Sequence, residues 1–423
     1  MNISLLGKVC LLSSIASLLN AGEWNQHRGP FSNNLSDESI TSANWLKSSS
    51  SVDWKIKTPL GFSSFTTYEG NAYTLIAEED EDGLMREICI SLDLKTGKRE
   101  WTTHLGIMDY KAGGGNSGAS DNKGGDGPRS TPSVLDGKVW AYDSDMTLYC
   151  LSAKDGKLIW KVNVLKEHDG INPRWENACS PLIFDDLVII YGGGPKQSFL
   201  AFDKNSGKVK WKTGSELATH ATPIITKIHG VEQVIFFCQS GLVSLLPKSG
   251  QELWRQEFPY KVSTAASPVV AGDLVYCSAG YGVGAGLYKI SKRGTNFSSK
   301  QVWRKPNDVI NHWSTPVYHD GHLYGMFSFK KYGNGPLQCI ELQTGRVKWS
   351  EDGYGPGNVI LAGKHLLALS DKGELSVVEA SPNYYNELAR KKLITGKCWS
   401  TPILSEGKVL MRSTVEAVCL SVR

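Results

Sequence analysis

The sequence predicts an all-β fold, an eight-bladed β-propeller of four-stranded antiparallel blades, on three observations. Five times a short apolar strand runs into a polar turn whose glycine is followed four residues later by tryptophan: Gly97/Trp101, Gly156/Trp160, Gly207/Trp211, Gly250/Trp254 and Gly345/Trp349. A Ser/Thr-Pro element recurs at Pro132, Pro181, Pro223, Pro268, Pro316 and Pro402. Beyond the first twenty residues, strands are short and glycine-bounded, without sustained helical spacing of apolar residues. Successive tryptophans, with a looser copy at Trp303, lie from the low forties to the high fifties apart. Intervals of that length mark propellers and arrays, because each unit carries an apolar face that only its neighbour can cover.

The elements follow in chain order. Residues 1–21 combine Lys8, an apolar run from Val9 to Leu19 and Ala21, the pattern of a secretory signal peptide cleaved after Ala21. The run is short and serine-rich for a membrane span, so no transmembrane segment is expected after cleavage; an uncleaved anchor is the alternative. Residues 22–50 form an N-terminal extension, and 51–423 one propeller domain. Blade 1 spans Gly61 to Trp101, with Phe62-Ser63-Ser64 standing where Ser-Thr-Pro stands elsewhere. The next blade follows Ser130-Thr131-Pro132 with strands at Lys138 to Tyr142, Thr147 to Ser152 and Lys157 to Val162. Asp136-Gly137 and Asp155-Gly156 supply the positive-φ turn positions between them.

Ser/Thr-Pro spacings stay in the forties until the last, which is double, so a degenerate blade is expected there. Gly357-Asn358-Val359 opens it, and strands follow at His365 to Ser370 and Glu374 to Glu379. The final copy, from Trp399, ends at its third strand and would leave an open sheet edge. Ser51 to Lys55, carrying Trp54, is the strand expected to pair with it and close the ring.

A formal charge of +4, spread without basic blocks or acidic tails, gives no basis for nucleic-acid binding. Eight of the nine cysteines follow residue 21. Cys150, Cys339 and Cys419 occupy one repeat slot in separate units, too far apart for the roughly 6 Å Cα separation of a disulfide. Buried small hydrophobes are the expected role. No Cys-x-x-Cys occurs, so the usual zinc and c-type haem spacings are missing and no metal site is expected.

FLAFDKNSGKVKW (Phe199 to Trp211) and ISLDLKTGKREW (Ile90 to Trp101) resemble pyrroloquinoline quinone (PQQ) repeats, and WNQHRGP (Trp24 to Pro30) resembles the start of secreted bacterial quinoprotein-like propellers. The resemblance covers essentially the whole chain after residue 21. It implies that Trp54, Trp101, Trp160, Trp211, Trp254, Trp303 and Trp349 dock between neighbouring blades. It also implies two functional classes on one fold: PQQ-dependent alcohol dehydrogenases, and the scaffold lipoprotein of the outer-membrane barrel-assembly machine.

Ligands of such propellers sit at the channel mouth, just before the innermost strands. The positions there are Arg129, Trp175-Glu176-Asn177, His220, Asn311-His312-Trp313, Asn358 and Trp399. Aromatics, histidines, an arginine and a carboxylate around a funnel suit a planar, oxygen-rich ligand; a water-filled mouth is the bland alternative. A quinoprotein dehydrogenase needs calcium held by several oxygens and a carboxylate base. Glu176 and Asn177 could contribute, but no second mouth carboxylate is visible, and the adjacent Cys-Cys pair and haem domain of such enzymes are missing. The cofactor is left open, with PQQ and calcium not favoured. Gly113-x-Gly115-x-x-Gly118 matches a dinucleotide fingerprint without its strand-to-helix context. Asp143 and Asp145 begin a calcium-loop pattern and lack the rest. The long insert from Ile107 to Gly127 is placed to cover the funnel beside Arg129.

The expected function is a secreted or periplasmic monomer that binds an envelope protein or small ligand through its mouth or one face. PQQ-dependent alcohol or sugar oxidation and glycan binding are the alternatives.

Overall fold

The computed structural model describes residues 22–108, 127–327 and 333–422. Residues 1–21, where the sequence suggests a signal peptide, and residues 109–126 of the insert, with its glycine fingerprint, lie outside them. Eight antiparallel sheets make up the molecule. Blades 1 to 7 span 66–107, 133–163, 182–213, 224–257, 269–305, 317–351 and 358–392, and blade 8 joins 403–421 to the early strand Val52–Lys57. Helix is confined to the single turns Asn44–Lys47 and Val164–Glu167 and a short 3-10 turn, among the described residues. None is long and apolar enough to cross a membrane.

Blade 2 shows why this sequence makes such a unit. Its strands Lys138–Tyr142 and Thr147–Ser152 alternate across two buried faces, while Leu158–Asn163 is largely exposed at the rim. At Asp136-Gly137 both residues have positive φ, the requirement of a tight type I′ hairpin, whereas at Asp155-Gly156 only the glycine does. The degenerate blade lies in the doubled gap, with strands Asn358–Ala362, His365–Leu369, Glu374–Glu379 and Glu387–Lys392. Ring closure runs through Val52–Lys57, antiparallel to Glu416–Ser421 with Trp54 opposite Cys419.

In every blade the ladder between the third and fourth strands slips next to the repeat tryptophan or its counterpart, Ala389 in blade 7. Such bulges re-aim a side chain. Here they accompany indoles turned onto the next blade. Trp54 Nε1 donates to Leu94 O (3.0 Å), Trp101 to Ala153 O (2.9 Å), Trp160 to Lys204 O (3.3 Å), Trp211 to Pro247 O (2.8 Å), Trp303 to Leu342 O (2.9 Å) and Trp349 to Ser381 O (2.8 Å). In all but the last, the acceptor lies three residues before the next blade's turn glycine. A Cβ at Gly207, whose φ is +70°, would lie 2.7 Å from the Trp160 ring. The Gly-to-Trp spacing is therefore a socket and a plug on blades 1, 2, 3, 4 and 6, the socket filled by the preceding blade's indole. Trp254 departs from the pattern: its indole bonds Gln233 within its own blade, at 2.7 Å. The outer hairpin of blade 5 runs long, through Arg293 and Asn296, and brings no glycine socket against it.

Cys150, Cys339 and Cys419 sit opposite docking tryptophans, where a small side chain fits. All eight described cysteines are free and buried. Burial pushes the thiols of Cys150, Cys179, Cys339, Cys398 and Cys419 up to about 12.

A second lacing runs around the channel. The backbone N–H of Ser64 donates to Thr131 Oγ1 (2.9 Å), Thr131 to Ser180 Oγ (2.9 Å), Ser180 to Thr222 Oγ1 (3.0 Å) and Ser267 to Thr315 Oγ1 (2.9 Å). The Ser/Thr of the repeat is thus an inter-blade acceptor. Its register corrects one alignment: Ser64 stands where Thr131 stands, so Ser63-Ser64-Phe65 is the counterpart of Ser-Thr-Pro, one residue later than the sequence pattern suggests.

Residues 22–36 cross the channel at its other end. Trp24 O accepts from Thr67 N in blade 1, Asn25 O from Val134 N in blade 2 and Asn34 O from Leu361 N in blade 7. Gln26 Oε1 accepts from Ile183 N in blade 3, and Leu35–Ser36 adds a parallel fifth strand to blade 7.

Candidate functional site

The corrected register defines one slot, three residues before each repeat proline or its counterpart. It holds Phe62, Arg129, His220, Trp313 and Trp399, with alanines at Ala178 and Ala265. Phe62 is a mouth residue that the sequence reading missed through the one-residue offset. The slot aromatics meet: Phe62 lies 4.9 Å from Trp399, Trp399 4.6 Å from Trp313, and Trp313 4.7 Å from His312. Tyr281 extends the run, edge-on to His312 at 5.2 Å. Lys397 places its ammonium over both the Trp399 ring (5.1 Å) and the Phe62 ring (5.9 Å). Trp399 is buried, while Phe62, Tyr281 and Trp313 are half-buried.

Across the mouth, Trp175 stacks on His220 at 6.4 Å, and the Arg174 guanidinium covers the Trp175 ring at 5.0 Å. Arg129 Nη1 donates to Trp175 O at 2.8 Å. Trp175 and Glu176 both have positive φ, 72° and 65°, so this loop is held in a conformation that non-glycine residues seldom adopt.

Several polar mouth residues are braces. Asn177 donates to Asp143 O (3.1 Å) and Cys179 O (3.3 Å) and accepts from Cys179 N (2.9 Å). Asn311 donates to Met326 O and accepts from the Tyr276 hydroxyl at 2.7 Å, and Asn358 donates to Trp399 O at 2.6 Å. His220 uses both ring nitrogens: Nε2 lies 2.8 Å from Arg174 O, so it is the donor, and Nδ1 accepts from Ser263 Oγ at 3.0 Å. Burial, with Arg129 nearby, pushes its pKa down to about 4, so the ring is neutral at pH 7.

Beneath the Glu176 loop lies a buried carboxyl pair that motif reading could not find. Glu87 Oε2 accepts from Ser144 N (2.9 Å), and Asp143 Oδ1 from Thr147 N (2.7 Å). Burial, then the charge of Glu87, raises the Asp143 pKa well above the carboxylate range. Ser144 O in turn accepts from Asn172 Nδ2, which also donates to Glu176.

These residues do not fit a calcium-held quinone. Calcium takes about six to eight oxygen ligands. The Asn177 amide is committed to its own loop and Glu176 to Asn172. Among the described residues no three His, Cys, Asp or Glu side chains could together hold a metal ion.

The family model described as "Outer membrane protein assembly factor BamB" matches residues 84–351. A curated relative, tetrathionate hydrolase of Acidithiobacillus ferrooxidans, is 24% identical over 54% of this chain, which spans 38% of that protein's length. Among solved structures, BamB from Moraxella catarrhalis superposes with a TM-score of 0.59 at 13% identity, covering 87% of this chain and 97% of that one. Quinohemoprotein alcohol dehydrogenase from Comamonas testosteroni superposes at 0.66 with 14% identity, covering 96% and 81%. At such identities the structural likeness shows the fold alone. Since the family model matches more than half of its length, the chain belongs to the PQQ-repeat propeller family described as outer membrane protein assembly factor BamB.

Proposed function

We propose that this chain is a non-catalytic binding propeller of the cell envelope, periplasmic or secreted and monomeric, which takes a planar, negatively charged ligand at its channel mouth. The observation that carries this reading is the continuous aromatic run Phe62–Trp399–Trp313–His312–Tyr281 with the Lys397 cation over two of its rings. Ring faces hold a planar molecule without specifying its identity, and nearby cations select for negative charge. Catalysis is disfavoured because the groups best suited to proton transfer are engaged. His220 is neutral with both nitrogens bonded, and Asn177 and Asn358 brace backbone. The envelope setting is supported by the leader pattern of residues 1–21 and by the family description.

Tryptophan fluorescence tests the reading, with pyridine-2,6-dicarboxylate as the planar dianionic probe. Saturable quenching is expected, with affinity falling roughly tenfold, or about 1.4 kcal/mol, in Trp313→Ala and in Lys397→Gln. Absence of quenching and of any melting-temperature shift would overturn it, because a ligand that binds only the folded state must stabilise it. Equal quenching by a neutral sugar would transfer support to glycan binding.

A further inference from the structure

Besides lacing blades 1 to 3, the stretch Trp24 to Pro30 helps to build a cavity at the opposite ends of the inner strands. There the N-terminal crossing leaves about 600 Å³ between itself and blades 2 to 6, a size typical of small-molecule sites. Its walls mix polar groups with an apolar set, Phe184, Ile225, Val270 and Tyr318 from the blades and Phe31 from the crossing, the last 60% exposed. The rim acids are spoken for: Asp185 pairs with Lys248 at 3.0 Å and Glu232 faces Lys227 at 3.9 Å.

Arg28 lines this cavity and is only 3% exposed. Its guanidinium makes one hydrogen bond among the described residues, from Nη1 to Pro268 O at 3.3 Å, and its Nε is buried without a partner. No carboxylate pairs with it among the described residues. The molecule contains its own control in Arg412, equally buried, whose Nε, Nη1 and Nη2 reach Ser413 O, Thr74 Oγ1, Leu75 O, Pro59 O and Leu60 O. Burial pushes both guanidinium groups down to about 9, so both are charged at pH 7. One is fully satisfied as a structural arginine; the other keeps most of its donors unused beside the cavity. A buried charge left unpaired is costly, and a planar fork of donors matches a carboxylate. Arg28 is moreover held at φ 67°, a conformation non-glycine residues adopt seldom, and mostly where the surroundings over-determine it.

We propose that this cavity binds a small apolar molecule bearing a single carboxylate, with the carboxylate on Arg28 and the apolar body against Phe31, Phe184, Ile225 and Val270. Calorimetry and thermal melting of the purified protein with sodium decanoate test it. Decanoate is expected to bind with a stoichiometry near one and to raise the melting temperature, whereas decanol and inorganic phosphate bind at least roughly tenfold more weakly. Arg28→Gln should lose at least tenfold in decanoate affinity, and Val270→Trp, which adds bulk to the apolar part of the wall and keeps Arg28 itself, should abolish binding. Trp313→Ala, at the other end of the channel, should leave decanoate affinity unchanged, so this site and the mouth succeed or fail separately. The proposal is overturned if wild type does not bind decanoate, if decanol or phosphate binds as well, or if folded Arg28→Gln binds like wild type. Should Arg28→Gln not fold, wild-type affinity in Val270→Trp would overturn it equally.

Discussion

Gly207 and Gly137 have the same φ, +70°, and different surroundings, which separates two roles of glycine in this chain. A Cβ at Gly137 meets nothing within 4 Å, whereas at Gly207 it would press on the Trp160 ring, seated there through its bond to Lys204 O. Gly137→Ala should therefore cost only the left-handed backbone penalty, about 1–2 kcal/mol. Gly207→Ala should add the overpacking of an indole that cannot retreat, about 1–3 kcal/mol more. Urea denaturation of the two variants checks the order, and equal losses would refute the socket.

Asp143 offers a test with a pH signature. Its folded pKa is raised, so the fold favours the neutral carboxyl. That contribution is complete below the ordinary value of 3.8 and is lost progressively as pH rises towards the folded pKa. Asp143→Asn fixes the neutral state and keeps an oxygen for Thr147 N. Its stability relative to wild type should thus grow from pH 5 to pH 8, by at most about 1.4 kcal/mol per unit. A gap that shrinks over that window would mean the carboxylate is stabilised by its surroundings.

Among the elements, the closing strand Val52–Lys57 carries the most consequence for its length. It supplies the outer edge of blade 8, and Trp54 fills the socket at Gly97 of blade 1 while bonding Leu94 O. Trp54→Ala should cost about 3–5 kcal/mol, the range for a buried large aromatic. Loss under 1 kcal/mol in a denaturant titration would mean that the ring is held elsewhere. Strands such as Lys138–Tyr142, Thr147–Ser152 and Glu374–Glu379 were legible residue for residue, because each is a short apolar run, buried on both faces and bounded by turn residues. Phe62 was displaced by one position because blade 1 has phenylalanine, Phe65, where the repeat has proline. Nothing local signals the Glu87–Asp143 pair or Arg28 against Pro268, since each joins parts of the chain that only the closed ring brings together. The mouth list was readable as positions but not as roles: the bracing bonds of Asn177, His220 and Asn358 depend on backbone carbonyls whose placement no motif encodes.

At the level of the whole ring, two lacings and a crossing segment turn eight repeats into one closed body. Indoles tie neighbouring rims, Ser/Thr hydroxyls tie neighbouring inner strands, and residues 22–36 touch blades 1, 2, 3, 5, 6, 7 and 8 through hydrogen bonds. Closure pairs the start of the chain with its end, a long-range contact whose loop entropy must be met before the contact forms. The resulting channel has two chemically different ends, an aromatic and cationic mouth and a cavity of mixed lining with one buried arginine. Fold likeness reaches scaffold and dehydrogenase alike, so the choice between them rests on the mouth residues. Reconstitution decides it most directly: the purified protein is incubated with PQQ and calcium, passed through gel filtration, and assayed for alcohol-dependent reduction of an artificial electron acceptor. A binding propeller without a metal cluster gives no alcohol-dependent turnover under any calcium concentration, whereas turnover that requires both PQQ and calcium would contradict the non-catalytic reading outright.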